Sequence, residues 1–176
     1  MSDDPTIVGR KIFILGDTVV NRANNLIQYA INNEKYRFAL IGPVKDDNNK
    51  ILSLISNKIL MHRGTITFSS YYSNDVSAIS DLAQDIKNRI IQTNTDVIIF
   101  TGEPDKRMSH LAAELADITV NKKDKGIQIM GLTHWENSAS ILSEPALQKA
   151  WFTMPDQRFR SFYENKFIKK FGYIPH

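Results

Sequence analysis

Apolar positions in this chain change period repeatedly, from alternation to helical spacing and back. Short β-prone runs occur at Lys11–Leu15 (K-I-F-I-L), Tyr36–Ile41 (Y-R-F-A-L-I), Thr65–Tyr72 (T-I-T-F-S-S-Y-Y), Asp96–Phe100 (D-V-I-I-F), Gly126–Gly131 and Lys149–Met154 (K-A-W-F-T-M). Between them the apolar residues recur every three to four positions, the signature of a helix with one buried face. Leu26, Ile27, Ala30 and Ile31 form the first such face. Ile51, Leu52, Ile55 and Ile59 form the second, begun by Asp46, Asp47 and Asn48 and closed by Gly64. Ile79, Leu82, Ile86 and Ile90 form the third, with Ser77 or Ser80 as cap. Met108, Leu111, Ala112 and Leu115 form the fourth. The spacing predicts a final helix with Phe159, Phe162, Phe167 and Phe171 inward and Arg160, Lys169 and Lys170 outward. The run Asn121–Gly126 (N-K-K-D-K-G) reads as a solvated connection.

Each interval between strands is long enough for a crossover helix, and parallel neighbours need such crossovers. The expected class is therefore α/β: a three-layer αβα, doubly wound, mostly parallel sheet. At 176 residues the chain suits one domain.

Composition adjusts this picture little. Hydrophobic residues make up 42% and charged residues 23%, ordinary values for a folded domain. The net charge of +3 is spread along the chain apart from a basic last helix, too little clustered charge to hold a nucleic-acid backbone. The absence of cysteine excludes disulfides, thiolate zinc sites and a cysteine nucleophile. No apolar run approaches membrane-span length. The opening M-S-D-D-P-T-I-V-G-R is acidic and has no signal-peptide core, which leaves a cytosolic protein or an internal piece of a longer one.

In an open parallel sheet, ligands sit outside the carboxyl ends of the strands. Here that edge gathers Asp46, Asp47, Tyr71, Tyr72, Thr101, Glu103, Thr133, His134 and Trp135. Tyr and Trp rings stack on ligands while keeping a polar handle, and Glu103 suits an amine or sugar hydroxyls. The plainer alternative has the tyrosines packing on a helix and Glu103 starting one. His134 is the one histidine expected in the cleft, and a lone loop histidine is more often structural. No dinucleotide, Walker, nucleophile-elbow or H-E-x-x-H motif is present, and His62, His110, His134 and His176 are scattered. Neither an enzyme nor a cofactor or metal site is expected.

Four segments carry a family resemblance: F-A-L-I-G-P (Phe38–Pro43), G-L-T-H-W-E-N (Gly131–Asn137), E-P-A-L-Q-K-A-W-F-T-M-P-D (Glu144–Asp156) and K-F-G-Y-I-P (Lys170–Pro175). Through them the chain resembles a lobe of a type I periplasmic binding protein of the leucine/isoleucine/valine class. It is most similar to the alphaproteobacterial penicillin-binding protein activator branch. The resemblance implies two α/β lobes that close on a small molecule, with residues 1–176 forming the second, C-terminal lobe. Residues 1–20 would be the segment that crosses from the first lobe. It further implies a periplasmic, non-enzymatic protein whose full-length form carries a signal or lipoprotein peptide and works with an ABC transporter or a peptidoglycan synthase.

Carried over by position, the resemblance implies a ligand-binding cleft edge of Asp17, Lys45, Asp46, Tyr72, Glu103, Thr133, His134 and Trp135. The tyrosine after the third-strand turn of amino-acid receptors falls at or next to Glu103. The acidic residue that holds the ligand's α-amino group falls at Thr133. A neutral hydroxyl does not replace that carboxylate, so the departure points toward the activator branch. Three readings follow: a solute-binding lobe, an interaction module for cell-wall synthesis, and a cytosolic flavodoxin-like enzyme. The last lacks any nucleophile or phosphate motif.

Overall fold

The computed structural model describes residues 18–44, 48–73, 75–119, 126–133, 135, 138, 143–154 and 157–173. The expected strand at Lys11–Leu15 and the Asn121–Lys125 connection lie outside them, as do Asp17, Lys45, Asp46 and His134.

Among the described residues, six helices and five strands follow in the order α1 (Val19–Asn32), β1 (Arg37–Pro43), α2 (Asn48–Met61), β2 (Thr65–Tyr72), α3 (Ile79–Thr93), β3 (Val97–Phe100), α4 (Lys106–Glu114), α5 (Ala116–Thr119), β4 (Gln128–Gly131), β5 (Trp151–Phe152) and α6 (Gln157–Phe171). The strands form one sheet in the order β2-β1-β3-β4-β5, and every pairing is parallel. The α/β class expected from the alternation is thus the observed one.

Both faces of the sheet are apolar because the central strands alternate between two sets of buried residues. Phe38, Leu40, Val97 and Ile99 face α1 and α2, where Ala23, Ile27, Ile55 and Ile59 complete the core. Ala39, Ile41, Ile98 and Phe100 face α3 and α4, where Ile86, Ile90, Met108 and Leu111 do the same. The chain steps from β1 outward to β2, then returns past β1 to β3. Its connecting helix changes face at that reversal. The carboxyl ends of β1 and β3 therefore flank the topological switch point, where a crevice opens in this architecture.

Several local expectations are corrected. Gly64 does not take the left-handed position that ends α2; Arg63 does, at φ 63°. Gly64 is needed instead for space, since a Cβ there would lie 2.8 Å from the Phe38 ring. Neither Ser77 nor Ser80 caps α3: its N-cap is Ala78, with no side-chain bond. Asp75 does the equivalent work one turn earlier, accepting from the Ser77 amide at 2.9 Å and the Ser77 hydroxyl at 2.7 Å. The last strand is confined to Trp151 and Phe152, and it is preceded by a 3-10 turn over Pro145–Leu147 that Glu144 starts by accepting from the Ala146 amide.

The largest correction concerns α6. Phe162 and Phe171, expected inward, are 59% and 50% exposed. Among the described residues, neither core cluster takes a member from α6. Helical spacing alone does not say against what an aromatic face packs.

Candidate functional site

The switch-point crevice is built around Gly102, the second residue after β3. The Thr101 amide continues the ladder by donating to the Ile41 carbonyl at 2.9 Å, and the Val44 amide donates to the Tyr72 carbonyl at 3.0 Å. These bonds draw the ends of β1, β2 and β3 together over Gly102. A Cβ at that residue would lie 2.6 Å from the Tyr72 hydroxyl and 2.7 Å from Cδ of Pro43. Only a glycine lets the three strand ends meet so closely.

From the other side, the Thr133 hydroxyl donates to the Gly102 carbonyl at 2.8 Å. Thr133 is buried, and this bond joins the β4 loop to the β3 loop. Trp135 lies further along the same loop and is 1% exposed. Its indole rests on Gly131, where a Cβ would lie 2.0 Å from the ring, and it packs between Phe100 and Phe152 at centroid distances of 6.2 and 6.5 Å.

Of the expected edge residues that are described, Glu103 and Tyr71 reach the surface. Tyr72, Thr133, Thr101 and Trp135 are buried, Tyr72 and Thr133 against Gly102 and Trp135 against Gly131. Tyr71, one residue before Tyr72, points the other way and is exposed. The Tyr72 hydroxyl and the Trp135 indole nitrogen are buried and have no hydrogen-bond partner among the described residues. Burial pushes the Tyr72 phenol well above its usual range; the Asp105 charge adds to this and the Arg107 charge opposes it. The hydroxyl accordingly stays protonated, a donor without an acceptor among the described residues.

Two residues of this edge escaped the sequence reading. Asp105 caps α4, its carboxylate accepting from the Met108 amide at 2.9 Å. Arg107 bonds back to the same carboxylate, with Nε to Oδ2 at 2.8 Å, and its guanidinium stands 5.5 Å from the centre of the Tyr72 ring. The available signal was an acidic residue before a helical run with a cation two positions on, which describes an N-cap that restrains an arginine. The pair orders the turn after Glu103 and closes one side of Tyr72.

Chemically, the described residues of the edge supply the exposed Glu103 carboxylate, two buried donors and aromatic surface. Among the described residues, no three His, Asp or Glu side chains gather as a metal set. Among the same residues, no helix is long and apolar enough to cross a membrane.

No protein-family model matches the chain, and no curated protein matches it in sequence. Solved structures do match. A branched-chain amino acid ABC transporter periplasmic ligand-binding protein from Burkholderia xenovorans superposes with a TM-score of 0.62 at 14% identity, over 91% of this chain and 42% of its own. An ABC transporter substrate-binding protein from Sphaerobacter thermophilus gives 0.63 at 11% identity, over 98% and 47%. One from Desulfitobacterium hafniense, solved in complex with Leu, gives 0.58 at 13% identity, over 90% and 44%.

These likenesses establish the fold: the chain has the architecture of a single lobe of a type I periplasmic binding protein. It spans somewhat under half the length of the structures it matches.

Proposed function

We propose that this chain is the second lobe of a two-lobed, non-enzymatic, periplasmic solute-binding-like protein, which captures a ligand or partner between lobes by hinge closure. The observation that carries the proposal is the convergence of the β1, β2, β3 and β4 ends on Gly102, at the switch point of a parallel sheet whose fold superposes on these receptors. Glu103 presents the charged group of this edge. Tyr72 and Thr133 pack against the neighbouring Gly102, while Asp17, Lys45, Asp46 and His134, which the sequence assigns to this edge, lie outside the described residues. Strand order alone suits a flavodoxin-like enzyme equally well. The absence of a phosphate-binding or nucleophile motif in the sequence weighs against that reading.

Thr133 favours a second reading of the ligand. Its hydroxyl is already engaged with the Gly102 carbonyl. It has neither the charge nor the freedom to hold an ammonium group, which supports a penicillin-binding protein activator-like interaction module over an amino-acid receptor for an ABC transporter.

Thermal-shift titration of the full polypeptide with leucine, related amino acids and aromatic carboxylates such as benzoate separates the two. Saturable stabilisation by leucine would sink the activator-like reading. The gene tests the two-lobed reading itself, which requires a periplasmic export signal and a further α/β half in the same frame.

A further inference from the structure

β2 reads as a regular alternation but does not fold as one. Ile66, Phe68 and Tyr72 are separated by even intervals, and a regular strand would send all three to the same face of the sheet. The protein divides them: Ile66 packs with the α1–α2 core, Phe68 and Tyr72 with the α3–α4 core. A bulge makes the division. Ile66 stands opposite Phe38, and Phe68 opposite the very next residue, Ala39, so Thr67 is the extra residue of β2.

A chain of threonine hydroxyls holds that extra residue in place. The Thr67 hydroxyl donates to the Phe38 carbonyl at 3.1 Å and meets the Thr95 hydroxyl at 2.8 Å. The Thr95 hydroxyl also lies 2.8 Å from that of Thr93, which donates to the Arg89 carbonyl of α3 at 2.7 Å. Thr95 is 3% exposed and follows Asn94, whose left-handed backbone ends α3. The bulge is thereby tied to β1 through Phe38 and to the end of α3 through Arg89.

Its consequence appears at the other end of β2. Side chains alternate with period two, so one residue of register exchanges the two faces of a strand. With the bulge, Tyr71 stands opposite Gly42 and Tyr72 opposite Pro43. Without it, Tyr71 would stand opposite Pro43 and take the place of Tyr72 against Gly102. We infer that Thr67, Thr93 and Thr95 are positioning residues for the switch-point crevice. Their hydroxyl chain selects which of two adjacent tyrosines is buried beside Gly102 and which is presented at the surface. What that choice does for capture rests on the two-lobed reading; the choice itself does not.

Nitration of the full polypeptide by tetranitromethane, read by tandem mass spectrometry, separates the two tyrosines. Tyr71 should be modified at least about 10-fold faster than Tyr72, because a buried ring reacts only through local opening. T67V/T95V removes two hydroxyls while keeping the side-chain shapes, and should lower that ratio several-fold. T67S/T95S keeps both hydroxyls and should restore it. Deleting Thr67 from the T95V variant leaves Ile66 and Phe68 consecutive, with no bulge to hold, and should restore it as well. Equal rates in the parent, an unchanged ratio in T67V/T95V despite a lowered Tm, or a ratio that stays low after the deletion would each overturn the inference. If T67V/T95V does not fold, the deletion variant decides: a folded protein with Tyr72 protected supports the inference, and loss of folding there too overturns it. Ligand titration enters none of these outcomes, so failure of the solute-binding reading would be a separate result.

Discussion

The indole of Trp135 lies flat on the backbone of Gly131, in a space where a single added carbon would meet the ring at 2.0 Å. Gly131 ends β4 and Trp135 follows in the loop, so the contact folds the strand end under its own loop and closes the core above Phe100. A methyl group there cannot be absorbed by a flexible chain end, because the obstructing atoms belong to a rigid, buried ring. Gly131→Ala should destabilise the lobe by about 1–3 kcal/mol. Urea denaturation followed by Trp fluorescence measures this directly. An unchanged midpoint would mean that the indole does not occupy this position in solution.

Thr133 does comparable work with a hydrogen bond. Its hydroxyl donates to the Gly102 carbonyl beside Glu103. Thr133→Val keeps the shape of the side chain and removes the donor, leaving a buried carbonyl unpaired. The expected cost is about 1–2 kcal/mol, read as a lowered Tm. Thr133→Ser, which keeps the donor, should recover most of it.

Tyr72 presents the opposite case. Its hydroxyl is buried and has no partner among the described residues, so there it carries a desolvation cost with no bond to offset it. Tyr72→Phe should leave stability unchanged or raise it by up to about 1 kcal/mol. If the same substitution weakens capture of a ligand or partner by the full protein, the hydroxyl finds its acceptor in the bound state. A loss of stability in the unbound protein would contradict the unpartnered geometry.

How much of this was legible beforehand depends on whether the signal was local. The alternation of Phe38, Ala39, Leu40 and Ile41 and the helical recurrence of Ile79, Ile86 and Ile90 are local patterns. Strands, helices and the parallel sheet followed from them. The roles of Tyr72 and Trp135 were not local. Each is aromatic and sits at a strand end, which suits a ligand platform and a buried support alike. The glycines beneath them decide the matter: Gly102 and Gly131 admit the side chains so closely that both rings sink below the surface. The phenylalanines of α6 illustrate the same limit, because helical spacing aligns a face without supplying its partner. Asp105 with Arg107 was readable in principle, since a cap and its neighbouring cation lie within three residues.

Asp96 provides a test at the opposite edge of the sheet. Its carboxylate takes the Arg37 guanidinium in two bonds, of 3.1 and 2.8 Å, and also accepts from the amides of Tyr36 at 3.1 Å and Arg37 at 3.0 Å. Burial by itself would push this carboxyl up. The bonds from the Arg37 side chain and the two amides outweigh it and hold the group below the usual carboxylate range. A carboxyl whose value is lower in the folded state stabilises the protein above its unfolded value of about 4, and that contribution disappears as pH falls through the folded value. Asp96→Asn keeps an acceptor for the amides and loses the charge, so it should cost about 1–2 kcal/mol at neutral pH. The difference between variant and parent should then narrow as the pH is taken from about 5 to below 3, across the range in which Asp96 itself becomes protonated. Urea midpoints measured across that series check it: a gap that stays constant with pH would show that the aspartate acts through shape alone.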